Sequence, residues 1–429
     1  MKILASADLH LGRKSSAVDR DIEESATKFT WQRLVKWAID QEVDAVALAG
    51  DIIDRDNRFF ETIGPIQQGF EALDKAGIPV VMVAGNHDYD VLPEIMQNSN
   101  YEQVHLLGQK GRWESLSLQH HKEKMQFLGW SFPRQHVRDD PLIQTPSADL
   151  DPNIPTIGLV HGDFNNPESS YAPLAESNLM SAPVDCWIMG HIHKPEILRS
   201  GIPTIMYPGS PQALSPKEQG SHGPFLLTLD GREQIDIKQI PLSPVRYETL
   251  EIDISQVEDE SEFRSLVLKT LADEEQNRAE AFEWAMEAVY DLILTGRHAP
   301  LSELDGWAQM ASEFKQTFSA GTTVVTIRTI KNAAEPAIKN IEQLASQPTP
   351  PGLLAQTMLD IRNDDLSSFS RQLLENWKKK AETLNSAGTY HPLRQADEWQ
   401  PVNDEAGKTA LLQECRRLLG ELLSQETES

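Results

Sequence analysis

Short apolar runs bounded by turn residues recur through the first half of the chain, at residues 3–7, 45–50, 79–85, 157–160 and 186–190. Their length and their flanking glycine, asparagine and aspartate predict β-strands. Two helical stretches, near residues 21–41 and 63–76, alternate with the first of them. The pattern up to about Ser243 is therefore that of an α/β or α+β fold. From Arg246 to about Ile330 the order becomes strand, helix, strand, helix, strand, with strands at 247–254, 288–295 and 322–330. This predicts a second, smaller α+β domain.

Proline marks both expected joins. Pro241 and Pro244 flank Ser243 before the second domain, and Pro348, Pro350 and Pro351 precede a helical remainder. The expected division is 1–245, 246–335 and 350–429. In the last segment Leu411, Leu412, Cys415, Leu418, Leu419, Leu422 and Leu423 fall at helical spacing. Such a stripe needs covering, either by a neighbouring helix of the chain or by a partner protein.

At 429 residues the chain exceeds one ordinary core, in keeping with two or three domains. No stretch approaches the roughly 18 unbroken apolar residues of a membrane span. Met1-Lys2-Ile3-Leu4-Ala5 runs straight into the first strand, without the basic region, apolar run and cleavage site of a secretory signal. A cytoplasmic location with no membrane partner is expected. Cys186 and Cys415 stand far apart in segments of different character, which predicts buried, inert thiols rather than a disulfide framework.

The formal charge of −26 is spread along the chain, with 33 acidic against 21 basic residues up to Val245 and 32 against 18 beyond it. General electrostatic capture of a polyanion is excluded by that balance. A phosphate substrate has to be held locally, by cations or by a small basic rim.

Each of the five apolar strands in the first half leads into metal-type ligands: Asp8-Leu9-His10, Asp51-Ile52-Ile53-Asp54, Asn86-His87-Asp88, His161, and His191-Ile192-His193. Because successive strand residues face opposite sides, Asp8 and His10 are expected to point the same way, as are His191 and His193, each pair gripping one ion. Carboxylate, amide and imidazole donors without thiolate suit Mn²⁺, Fe or Zn²⁺ in a catalytic site, and oxygen-rich coordination favours Mn²⁺. Asp8, His10, Asp51, Asn86, His161, His191 and His193 are too many for one open ion. Two ions sharing the Asp51 carboxylate account for them. A lone DxH or HxH pair arises often by chance, whereas five clusters in order, each directly after a strand and mostly beside glycine or small residues, do not. His105, His120, His121, His136, His222, His298 and His391 lack such settings and read as structural or solvated.

Asp8-Leu9-His10, Gly50-Asp51, Gly85-Asn86-His87-Asp88, His161-Gly162 and Gly190-His191-Ile192-His193 resemble the five motifs of the calcineurin-like metallophosphoesterase superfamily, across the first 245 residues. More narrowly, Asp8-Leu9-His10-Leu11-Gly12, Gly190-His191-Ile192-His193-Lys194-Pro195 and Tyr207-Pro208-Gly209-Ser210-Pro211 are similar to the SbcD branch of DNA double-strand-break nucleases and the YhaO-like exonucleases within it. The resemblance implies a four-layer αββα sandwich with two central sheets, an α+β capping domain and a helical tail. It assigns Asp8, His10, Asp51 and His193 to one ion, and Asp51, Asn86, His161 and His191 to the other. Two Mn²⁺ ions are the first expectation, with Mg²⁺, Fe or Zn²⁺ as alternatives. His87 is left free of metal, to stabilise the transition state or protonate the leaving oxygen, with Asp54 as its carboxylate partner. Some relatives carry His at the Asp54 position. The implied reaction is hydrolysis of a phosphodiester by water activated by two metals.

The same resemblance implies DNA, an SbcC-like coiled-coil ABC ATPase and a second copy of the chain as partners. Nothing of the GxxxxGK[ST] type is present to bind ATP in the chain itself. Fold and metals do not select a substrate. Asp56 and Asp88 depart from the protein phosphatases, which have Gly and commonly Glu there, and the roughly 180 residues after Val245 exceed the needs of a small cyclic-nucleotide hydrolase. Arg13, Lys14, Arg55, Arg58 and Lys194 follow the motifs and are the candidate DNA contacts; equally, they read as solvated charges paired with Asp19, Asp56 and Glu196. The expectation is a metal-dependent DNA nuclease, an exonuclease in repair or recombination. The alternatives are a phosphodiesterase or phosphatase for nucleotides or other small phosphate esters, and a non-catalytic scaffold subunit.

Overall fold

The computed structural model describes the chain except residues 19–24, 57–59, 121–122, 144–149, 233, 299–301, 318–322, 337–340, 387–401 and 428–429. Arg58, Asp19, His121, His391 and the start of the strand expected at 322–330 lie outside the described residues.

Strand and helix alternate at first: β1 (Lys2–Ser6), α1 (Thr27–Asp40), β2 (Ala45–Ala49), α2 (Phe60–Lys75), β3 (Val80–Val83), α3 (Val91–Gln97) and β4 (Val104–Leu106). A largely β stretch follows, with β5 (Glu114–His120), β6 (Glu123–Trp130), β7 (Thr156–His161), α4 (Glu176–Ser181), β8 (Cys186–Gly190), β9 (Glu196–Arg199), β10 (Thr204–Tyr207), β11 (Phe225–Asp230) and β12 (Gln234–Gln239). They form two six-stranded sheets, in the orders β12-β11-β1-β2-β3-β4 and β5-β6-β7-β8-β10-β9. β1 to β4 run parallel, as do β6, β7, β8 and β10. The C-terminal ends of each parallel set therefore share one edge, the place where such sheets present loops for chemistry.

Alternation along the strands builds the layers. Ile3, Ala5, Ala45, Ala47, Ala49, Val81 and Val83 of the first sheet pack with Phe127, Ile157, Leu159, Cys186 and Ile188 of the second. The residues between them face outward: Leu4, Val46 and Leu48 meet Trp31, Leu34 and Phe70 of α1 and α2. On the far side of the second sheet, Val160, Trp187 and Met189 pack with Leu179 of α4. The fold is thus a mixed α/β architecture, two central sheets flanked by helices, as the motif resemblance implied. Both cysteines are free and buried.

Further along come β13 (Val245–Asp253), α5 (Glu260–Asn277), β14 (Glu287–Thr295), β15 (Arg297–His298), α6 (Ser302–Ala308), β16 (Gln316–Thr317), β17 (Val324–Asn332) and β18 (Glu335–Pro336). β13, β14, β17 and β16 lie side by side in that order, and β15 pairs with β18. The helical remainder is α7 (Ile341–Ala345), α8 (Pro350–Arg362), α9 (Ser368–Ser386) and α10 (Asp404–Thr427). Pro350 and Pro351 open α8, where Thr349 caps by accepting the Gly352 N–H at 3.2 Å; the first helical turn has no use for the amide hydrogens that proline lacks. Part of the leucine stripe is covered from within: Cys415 and Leu419 are buried against Ala355 and Met358 of α8, with Leu412 and Leu423 beside them, while Leu411, Leu418 and Leu422 are half-buried.

The chain divides into two compact units. One holds Met1–Glu248, Asp273–Tyr290 and Lys315–Thr326, the other Thr249–Ala272, Asp291–Phe314 and Ile327–Ser429. Among the described residues no helix is long and apolar enough to cross a membrane.

Candidate metal centre

The loops leaving β1 and β2 are zipped together by backbone hydrogen bonds, from Asp8 N to the Gly50 carbonyl (3.0 Å), His10 N to Asp51 (3.0 Å) and Leu11 N to Ile52 (2.9 Å). Within them Asp8, His10 and Asp51 have φ of +51°, +42° and +49°, and after β8 His191 has +105°. Left-handed backbone at residues other than glycine is costly and persists only where the surroundings enforce it. One expectation is corrected here. β1 ends at Ser6 and β8 at Gly190, so Asp8, His10, His191 and His193 are not pleated strand residues. His191 and His193 diverge instead of sharing an ion. The His191 imidazole faces Asp163 (3.6 Å) and the Tyr171 ring (centroids 4.9 Å apart), while His193 faces His10.

Asp51 sits at the centre. Its Oδ1 accepts the His87 backbone N–H at 2.8 Å, and its Oδ2 lies 3.4 Å from His161 Nε2 and 4.0 Å from Nε2 of both His10 and His87. Among the described residues, three groups have donor atoms close enough to hold a divalent ion: Asp8 with His10 and His193, His10 with Asp51 and His87, and Asp8 with Asp51 and His161. Asn86 joins the last, its Oδ1 3.0 Å from His161 Nε2. Glycines permit this crowding. A Cβ on Gly190 would lie 2.0 Å from the Ala49 oxygen and 2.6 Å from His161 Nδ1, and one on Gly85 would lie 2.2 Å from Asp51 Oδ1.

Whether these residues suit a cation can be read from their lone pairs. His161 Nδ1 donates to the Ala49 carbonyl at 3.0 Å, which turns Nε2 toward the acceptors Asn86 Oδ1 and Asp51 Oδ2. His193 Nδ1 meets Glu218 Oε1 at 3.0 Å, which gives its proton a carboxylate acceptor, and the buried His10 Nδ1 lies 3.4 Å from Asp54 Oδ1. The Nε2 atoms of the two rings meet at 3.0 Å. A proton on one of these nitrogens, or a metal ion between them, satisfies acceptors that converge in this way. The set fits a pair of divalent cations.

The protonation directions agree. Burial disfavours the Asp51 charge, but His161, His10 and His87 outweigh it and hold the carboxyl well below the ordinary range. Burial pulls His161 down, yet Asp51, Asp8 and the Ala49 carbonyl push it up to about 9. His87, the more exposed ring, is raised above its ordinary value, first by its hydrogen bond to Asp54.

Several contributors carry no role in the motif reading. Asp88 is fully buried and accepts the N–H groups of Ile52 (2.6 Å), Ile53 (3.2 Å) and Gly85 (2.8 Å), tying the β2 and β3 loops together. Asp163 stands two residues after His161, a spacing that could have marked it. Glu218 has no such signal, lying in the loop between β10 and β11.

Residues 1–195 match the calcineurin-like phosphoesterase family. The phosphoesterase match extends to individual relatives. The uncharacterized metallophosphoesterase YhaO of Bacillus subtilis (strain 168) is 26% identical over 235 residues, 53% of this chain and 57% of that protein. The DNA double-strand break repair protein Mre11 of Methanosarcina mazei is 23% identical over 262 residues, covering 59% and 40%. The SbcD component of the nuclease SbcCD from Bacillus subtilis (strain 168) is 30% identical over 116 residues, covering 25% and 27%. The chain thus spans about half the length, or less, of the relatives it matches.

Around this centre, Arg13, Lys14 and Arg55 are exposed, while Lys194 pairs with Glu196 at 3.5 Å.

Proposed function

We propose that the chain is a metal-dependent DNA nuclease of the SbcD type, an exonuclease that hydrolyses phosphodiester bonds in DNA repair or recombination. The observation that carries the hydrolytic part is the convergence of Asp8, His10, Asp51, Asn86, His161 and His193 around lone pairs that require cations, with the His87 ring on the solvent side beside Asp51. The DNA part is supported by relatives named for break repair and for nuclease activity.

In this reading Asp8, His10, Asp51 and His193 hold one divalent ion, and Asp51, Asn86, His161 and His191 the other, Mn²⁺ in both. Bound there, the cations supply Lewis acidity and charge neutralisation for phosphoester hydrolysis. His87 stays off the metal and holds a proton on Nε2 for the leaving oxygen; the Arg55 N–H donates to its Nδ1 at 3.3 Å, and the Asp54 carboxylate 3.6 Å away is its charge partner. Arg13, Lys14, Arg55, Arg58 and Lys194 form a basic rim for the DNA backbone. Residues 1–245 are the nuclease domain, 246–335 the capping domain, and 350–429 a region for an SbcC-like ABC ATPase. A cytoplasmic homodimer completes the proposal.

The charge of −26 favours a second reading, hydrolysis of a small phosphate ester that needs no extended basic surface. Digestion of a defined duplex labelled at either end, with Mn²⁺ or Mg²⁺, beside a chromogenic phosphodiester, separates the two. Stepwise loss of label supports the exonuclease. Ester turnover with intact DNA, single- or double-stranded, selects the second reading, and inertness toward both leaves a scaffold.

A further inference from the structure

Both ends of His193 are gripped by the loop that follows β10. Ser210 N donates to the His193 carbonyl at 2.9 Å, and Gly209, at φ +71°, passes so close that a Cβ would stand 2.4 Å from that oxygen. From the same loop Glu218 reaches the ring, its Oε1 3.0 Å from Nδ1. The other carboxylate oxygen is itself secured, accepting the Leu214 N–H at 2.6 Å and facing Ser210 Oγ at 3.5 Å.

We propose that Glu218 is the positioning residue for the metal site at His10 and His193. This inference rests on the reading of His193 as a metal ligand. An imidazole binds a cation only through a nitrogen that carries no hydrogen, and the acceptor on its other nitrogen decides which one that is. Glu218 keeps the hydrogen on Nδ1 and aims bare Nε2 at the His10 Nε2 atom 3.0 Å away. The opposite site is served by a different acceptor, the Ala49 carbonyl on His161. Loss of Glu218 therefore affects one ion and spares the other.

Calorimetric titration of the metal-free chain with Mn²⁺ counts the sites and reads their affinities without reference to turnover. Two sites are expected in the parent. Glu218→Ala should weaken one of them by about 10- to 100-fold, the usual effect of removing such a partner, and leave the second within about twofold. Glu218→Gln should fall between, because its single acceptor oxygen cannot serve both the His193 and Leu214 N–H groups. The Gln variant also carries the test if the Ala variant does not fold. In a His10→Ala background, where the same site is already lost, Glu218→Gln should add almost nothing. Parent-like binding at both sites in either Glu218 variant, or equal weakening of both, overturns the proposal. A parent that binds no divalent ion removes the metal reading itself.

Discussion

Oδ1 of Asp54 lies 3.6 Å from Nδ1 of His87, and the same oxygen lies 3.4 Å from Nδ1 of His10. One carboxylate thus serves a proposed metal ligand and the proposed proton donor. Burial opposes its charge, but the adjacent His10 and His87 rings and the nearby Arg13 hold it well below the usual carboxylate range. In return it raises His87.

His87→Gln should lower kcat on a model phosphodiester by about 100-fold or more, the scale of a lost general acid, with the Mn²⁺ count unchanged. Since a raised His87 keeps its proton to higher pH, the alkaline limb of the pH–rate profile reports it. Asp54→Asn should move that limb to lower pH. An unmoved limb would mean that His87 does not set it.

Metal binding must displace the proton that His161 holds up to about pH 9. Apparent Mn²⁺ affinity should rise with pH to that point, with proton release seen as a buffer-dependent calorimetric enthalpy. Stability of the metal-free chain should run the other way. His161 has a folded pKa above its ordinary 6.5, so its contribution is fully present below pH 6.5 and lost as pH climbs through about 9. Melting curves at pH 6 and 9, with and without Mn²⁺, check both signs.

Asp88→Ala should leave three buried N–H groups, on Ile52, Ile53 and Gly85, without their acceptor. Each such loss costs about 1–3 kcal/mol. Denaturant unfolding should show a drop of several times the typical substitution, of roughly 1 kcal/mol. A drop no larger than that would mean that water replaces the carboxylate.

Gly190→Ala should abolish Mn²⁺ binding, because the new methyl meets the Ala49 oxygen and His161 Nδ1. Gly306→Ala is the contrast. Gly306 lies exposed in α6 with nothing within 4 Å of its would-be Cβ, and alanine there should stabilise by about 0.5–1 kcal/mol. Thermal melts and metal counts on the two variants test the pair.

Lys14→Glu and Arg55→Glu alter exposed rim residues. Together they should weaken duplex binding and reduce its log–log salt slope by about 0.9 for each phosphate no longer neutralised, while small-ester turnover stays near the parent. Equal impairment on both substrates would point to damage at the centre and not to a DNA surface.

Local chemistry made much of this legible in advance. Apolar runs such as Ala45–Ala49 announce buried strands because their alternate faces both need covering, and the ligand residues directly behind them, from Asp8 to His193, mark the functional edge. The strands expected at 247–254 and 288–295 appear as Val245–Asp253 and Glu287–Thr295. Where a role depended on direction, the pattern held for Asp8 and His10, which share one candidate group, and failed for His191 and His193. The pleat rule that paired His191 with His193 does not apply once His191 takes a φ of +105°.

Residue order and spacing alone gave the candidate ligands and the alternation of strand and helix, since both follow from side-chain chemistry and backbone period. Only the folded chain decided which imidazole faces which carboxylate. Asp54 is shared by two rings, Asp88 ties two loops, and Glu218 reaches His193 from 25 positions away. Contacts of that kind are set by loop paths between sheet edges, and no local periodicity encodes them.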